Sequence, residues 1–281
     1  MTALFNSLVQ AWSAYPFMQG AILIGLLLSI TSGVIGSYIV VKRIVFISGG
    51  IAHSVLGGFG VALYVRRVFS VEWLEPIHGA FLAAIISAAL IGVMTLHFKQ
   101  RSDTVIATIW TFGMSMGAIF ISLTPGYNVE LSQYFFGNIL WATNRDIYSL
   151  LILDLIVLFV TCFFHYRFLA IFFDEEQAML QKQPVKWLYF LLLSLVAITV
   201  VCLIQIVGAI LVIAILSLPA SIANMYTKSL LKMMVLASAL ELGIAGLGIV
   251  ISYFLNWPVG ATMALIATSL YLLHLMMKQG G

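Results

Sequence analysis

The chain has 281 residues, 63% of them hydrophobic and 8% charged, with mean hydropathy +1.12 and formal net charge +3. Soluble domains carry about 25% charged residues, so this composition excludes a water-facing surface and makes the bilayer the solvent. No segment is polar enough for a second domain, so residues 1–281 read as one transmembrane domain, and no feature suggests a nucleic-acid partner.

Residues 1–15 lack a basic n-region and a small-residue cleavage site, so no cleaved signal peptide is expected. A membrane helix needs about 20 apolar residues. On that measure spans fall near 17–41, 50–68, 77–97, 104–124, 147–169, 187–205, 207–226, 230–253 and 259–277. The run from Trp187 to Met225 is too long for one span, and Gln205 and Gly208 mark either a turn or a break in a single helix, giving eight to nine spans. The fold class is therefore an all-α polytopic membrane protein.

Charge sets the orientation. With the 42–49 loop in the cytoplasm, Lys42, Arg43, Lys99, Arg101, Arg167, Lys182, Lys186, Lys228, Lys232 and Lys278 fall inside, and only Arg66, Arg67 and Arg145 outside. That is a clear positive-inside bias, with the N-terminus external and the C-terminus internal.

The stretch 48–64 is apolar and glycine-rich and holds one imidazole, His53. Gly49, His53 and Gly57 share a helix face, with Gly50, Ser54 and Gly58 beside them. So little bulk admits a neighbouring helix backbone or leaves room for something to pass. An intramembrane histidine is either hydrogen-bonded in a tight helix contact or functional, and neutral imidazole is a common transition-metal ligand.

Between the fourth and fifth spans, an outer loop carries Tyr134-Phe135-Phe136-Gly137-Asn138-Ile139-Leu140-Trp141, which suits the interface or a short re-entrant helix. Cys162 and Cys202 sit in apolar runs without CxxC spacing and read as buried structural thiols. His78, His97, His165 and His274 lie near span ends, where they bond or snorkel at the interface.

Two acids lie inside spans, Asp154 and Glu241. Each costs about 2.5–3.5 kcal/mol on insertion scales unless paired or wetted. Asp154 suits an interhelical hydrogen bond. Glu241, followed by Gly243, Gly246 and Gly248, suits a polar pathway, because carboxylate oxygen with imidazole nitrogen satisfies a borderline cation. On the cytoplasmic side, Asp174 is placed to cap a short helix with Glu175 and Glu176 in its first turn, before Pro184. Such a helix is either a solvated loop element or a lever on which a soluble partner pushes. The chain has no GxxxxGK[ST], HExxH or GxSxG motif.

Four stretches together resemble the membrane permease of bacterial ABC importers for zinc, manganese or iron(II). They are the His53 region, Tyr134 to Leu140 followed by Asp146, Phe173-Asp174-x-Glu176-x-Ala178, and Val207-Gly208-Ala209-Ile210-Leu211-Val212 leading to Leu218-Pro219-Ala220-Ser221 and then Leu255-Asn256-Trp257-Pro258-Val259-Gly260-Ala261. The resemblance implies a multi-pass protein of the bacterial cytoplasmic membrane that carries a divalent metal inward, zinc first among the three. It implies a second permease chain, as a homodimer, two cytoplasmic ATPase subunits that hold the ATP, and an extracytoplasmic metal-binding protein. This chain would bind no resident cofactor and would not itself be an enzyme. The resemblance also makes the segment near 173–184, with Asp174, Glu175, Glu176 and Ala178, the docking point for the ATPase. Two positions depart from the family pattern: Gly49 replaces the acid four residues before the histidine, and Lys182 replaces the glycine that closes the cytoplasmic motif. With that acid missing, His53 and Glu241 are the candidate metal ligands, expected to face one polar route in the same subunit or across the dimer. The rival reading is a self-sufficient secondary cation transporter or channel using Asp154 and Glu241; an intramembrane enzyme ranks behind both.

Overall fold

The computed structural model describes residues 16–97, 102–126, 129–137, 139 and 142–279. Lys99, Arg101, Asn138, Leu140, Trp141 and residues 1–15 lie outside it, as does the side chain of His97.

Among the described residues the regular elements are helical, in the order α1 (Pro16–Val41), α2 (Val45–Val68), α3 (Pro76–His97), α4 (Ser102–Leu123), α5 (Val129–Phe136), α6 (Asn144–Phe173), α7 (Glu175–Leu180), α8 (Val185–Val207), α9 (Ala209–Tyr226), α10 (Leu230–Leu255) and α11 (Val259–Gln279). Nine of these are long and apolar enough to cross a membrane; α5 and α7 are the exceptions. The 187–225 run resolves into two helices separated by Gly208, whose φ of +85° and ψ of 156° fit neither.

Where the observed helices outrun the expected spans, local chemistry explains it. Helix α2 begins at Val45 because α1 ends in a Schellman turn: Arg43 takes φ +60°, its N–H bonds the Val40 carbonyl, and the Ile44 N–H bonds that of Ile39. Buried Ile39 and Ile44 close the turn, so α1 passes into α2 without a loop. Helix α7 ends the same way, with Lys182 at φ +58°, Lys182 N–H on Met179 and Gln183 N–H on Ala178. A glycine adopts that backbone freely, whereas a residue with a Cβ costs about 1–2 kcal/mol there, which gives the Gly-to-Lys182 departure a physical meaning.

Helix α2 is a packing hub. Gly57 and Gly60 lie on Gly113 and Gly117 of α4, and Gly58 lies on Gly79 of α3, so closely that a methyl group at any of them would meet backbone. The low-bulk face is therefore used for close helix approach. On the other side α1 packs antiparallel to α10, with Gly25 against Ala245 and Gly33 against Ser238. Helix α9 packs on α1, α2, α10 and α11 and joins the two halves. Of the thiols read as buried, Cys162 is instead exposed on α6 and Cys202 is half-buried on α8. Helix α6 turns an apolar face outward there, including Phe159 and Phe163, and in lipid such a face needs no burial.

Candidate metal pathway and cytoplasmic coupling site

His53 is half-buried and lies against Trp110 of α4, the ring centroids 4.2 Å apart and the planes 10° from parallel. Trp110 Nε1 in turn donates to Met114 Sδ at 2.9 Å. One turn earlier, a Cβ on Gly49 would meet Ile213 of α9 and nothing else among the described residues, at the position where the resemblance implies an acid. Just outward of His53, Tyr134 of α5 donates its hydroxyl to the Ala52 carbonyl at 2.8 Å and packs on Phe59. Tyr134, Val55, Phe59, Arg66, Glu75 and Gln205 line a cavity of about 190 Å³ that runs from the α2–α3 turn down toward the His53 level. At its rim Arg145 donates through both guanidinium nitrogens to Glu75, at 3.2 and 3.3 Å. That hydrogen bond holds the Glu75 carboxyl below its usual range, helped by the charges of Arg145, His78 and Arg66.

Glu241 is fully enclosed, and neither carboxylate oxygen has a hydrogen-bond partner among the described residues. The α1–α10 register sets it level with Ser29, whose hydroxyl donates instead to the Leu26 carbonyl. The three glycines after it, read from the sequence as a low-bulk face, have different surroundings. A Cβ on Gly243 or Gly246 would meet nothing beyond its own helix within 4 Å among the described residues, while Gly248 packs on Met263 of α11. Within one chain Glu241 and His53 are not brought together: α10 packs on α1, α9 and α11, whereas α2 packs chiefly on α3, α4, α8 and α9. Among the described residues no group of three or more His, Cys, Asp or Glu side chains is placed to hold a metal ion.

Asp154 accepts a hydrogen bond from Thr31 of α1, the interhelical bond expected of it. His165 bonds the Tyr38 hydroxyl at 3.2 Å, His78 accepts from the Glu75 backbone N–H, and His274 bonds the Leu270 carbonyl. At the cytoplasmic end, Asp174 caps α7 by accepting from the Gln177 N–H at 2.9 Å. The four residues assigned there divide: Asp174 and Glu176 are exposed, Ala178 is buried, and Glu175 forms an ion pair with Lys42.

One further cluster was not legible as a unit. Gly137 at the end of α5, Gly208 between α8 and α9, and Gly260 at the start of α11 meet at the outer end. A Cβ on Gly137 would stand 2.6 Å from the Ile206 carbonyl oxygen, and one on Gly260 2.8 Å from that of Val207. Each glycine sat in a stretch of interest, but only the fold joins three stretches so far apart.

Nine spans, an outer cavity above an intramembrane histidine and a short capped helix on the cytoplasmic side define a polytopic transport permease. The chain belongs to the ABC 3 transport family, whose profile matches residues 14–278. It is 43% identical over 264 residues to a probable metal transport system membrane protein of Chlamydia muridarum, covering 94% of this chain and 90% of that one. It is 32% identical to the manganese transport system membrane protein MntC of Listeria monocytogenes, covering 95% and 93%. Its fold matches a solved structure of PsaBC from Streptococcus pneumoniae in complex with Fab, with a TM-score of 0.83 and 26% identity over 96% of this chain and 95% of that one. The chain is thus a multi-pass permease of a metal ABC importer, a transport subunit of the bacterial inner membrane.

Proposed function

We propose that the chain moves a divalent first-row transition metal into the cytoplasm by alternating access, working as a pair of identical permease chains with two ATPase subunits that hydrolyse the ATP. An extracytoplasmic binding protein delivers the ion to the outer cavity, and Tyr134 on the Ala52 carbonyl closes the way to His53. The observation that carries this reading is the whole-chain match to a metal ABC permease fold, with a capped cytoplasmic helix between two spans. We put Mn²⁺ ahead of the Zn²⁺ expected from the resemblance, a choice supported by relatives named for manganese transport.

His53 is the first protein ligand met from outside, and Glu241 the second, reached when α1 and α10 separate. Two carboxylate oxygens enclosed in a helix contact, without a hydrogen-bond partner among the described residues, support this role, because a group so costly to bury gains a partner when a cation arrives. ATP-dependent uptake of Mn²⁺, Zn²⁺ and Fe²⁺ into vesicles holding the permease, its ATPase and its binding protein tests the proposal. Uptake that needs ATP, and stops when the ATPase is omitted, is expected. Uptake driven by an ion gradient without the ATPase would establish the secondary-transporter reading instead.

A further inference from the structure

Glu175 stands in the segment expected to face the ATPase, yet its carboxylate is turned back onto Lys42, 133 residues earlier in the chain. Lys42 is the residue that follows the last residue of α1. Its side chain is only 17% exposed, and its ammonium group also sits over the Phe172 ring, 5.9 Å from the centroid. One turn back, Tyr38 is wholly buried, edge-on to both Phe168 and Phe172, with its hydroxyl on His165. The end of α1 is thus fastened to the α6–α7 corner by an ion pair, a cation over a ring, two aromatic contacts and a hydrogen bond.

The backbone beyond Lys42 is as closely held as the lysine itself. The Schellman turn at Arg43 leads straight into α2, with the Ile47 and Ser48 N–H groups on the Ile44 carbonyl. Gly49 comes one turn into α2 and His53 a further turn on, already against Trp110. No flexible loop separates the anchor from the imidazole.

We propose that Lys42 is a positioning residue, and that the Lys42–Glu175 pair is the strap by which movement of α7 is passed through the α1–α2 elbow to His53. The inference rests on the proposed transport function and adds to it a route from the cytoplasmic helix to the pathway. It also divides the labour on α7. Exposed Asp174 and Glu176 remain for the ATPase, while Glu175 works inward.

The test compares Lys42→Glu, Glu175→Lys and the double exchange in vesicles containing permease, ATPase and binding protein, measuring Mn²⁺ taken up and ATP hydrolysed in the same sample. The single variants should go on hydrolysing ATP while uptake per ATP falls at least about fivefold, the low end for energetic coupling between sites. The double exchange, which restores an opposite pair, should recover most of the ratio. A residue that only stabilised the fold would lower both quantities in proportion. Lys42→Met keeps the stem over Phe172 without its charge and should show the same fall, which carries the test if reversed charges stop the chain reaching the membrane. An unchanged ratio in the single variants, or no recovery in the exchange, overturns the strap. Wild-type vesicles that take up no divalent metal would overturn the transport reading and the strap with it.

Discussion

His53 lies flat on Trp110, with ring centroids 4.2 Å apart and planes within 10° of parallel. The indole fixes the imidazole plane, so the histidine depends on α4 as well as on its own helix. An aromatic contact of this kind is worth about 0.5–1.5 kcal/mol beyond its area, or roughly two- to tenfold in an equilibrium. Trp110→Leu should lower metal uptake within that range while Trp110→Phe keeps most of it, and His53→Ala should abolish uptake with the chain still assembled with its ATPase. Vesicle uptake and co-purification check these outcomes. Wild-type uptake in His53→Ala would leave the imidazole as a packing group.

The carboxylate of Glu241, the second ligand proposed, meets neither His53 nor any hydrogen-bond donor among the described residues. Glu241→Gln keeps the shape and removes the ionisable group. Uptake should fall at least about tenfold, or ~1.4 kcal/mol in the barrier, with normal amounts of chain in the membrane. Undiminished uptake would make Glu241 a packing residue of the α1–α10 contact.

Gly208 combines φ +85° with ψ 156°, a backbone reserved almost entirely for glycine, and its missing side chain admits the Phe135 carbonyl. Gly208→Ala adds backbone strain of about 1–3 kcal/mol and a clash with α5. The variant should unfold at lower temperature than wild type in detergent. Gly243→Ala, in a helix interior where a Cβ meets nothing beyond its own helix within 4 Å among the described residues, should be at least as stable as wild type.

The Glu75–Arg145 pair gives a pH dependence whose sign is fixed. Its carboxyl is held below the unfolded value, first by the Arg145 hydrogen bond. The pair therefore contributes stability above the ordinary carboxylate range and loses it as pH falls through the lowered folded value. Both side chains are well exposed, at 37% and 70%, so the effect is limited to about 0.2–1 kcal/mol and shrinks in salt. The difference in thermal unfolding between wild type and Glu75→Gln should be largest at pH 7, shrink as pH falls below the ordinary carboxylate range, and be smaller at high salt.

Hydropathy and charge placed the spans to within a few residues, and local chemistry marked the Asp174 cap and the break at Gly208, because each depends on neighbours in the chain. The same reasoning took Gly243, Gly246 and Gly248 after Glu241 as one low-bulk face, and the structure divides them, with Gly248 packed on Met263 and no contact for a Cβ at Gly243 or Gly246 among the described residues. In a membrane every face of a helix is apolar, since lipid tails and protein interior are equally oily, so periodicity does not say which side meets protein. Backbone approach decides that instead, at Gly57 on Gly113 and at Gly137 on Gly208. The pairing of Lys42 with Glu175, the stacking of His53 on Trp110 and the burial of Glu241 against α1 are likewise settled only when helices distant in sequence are packed together.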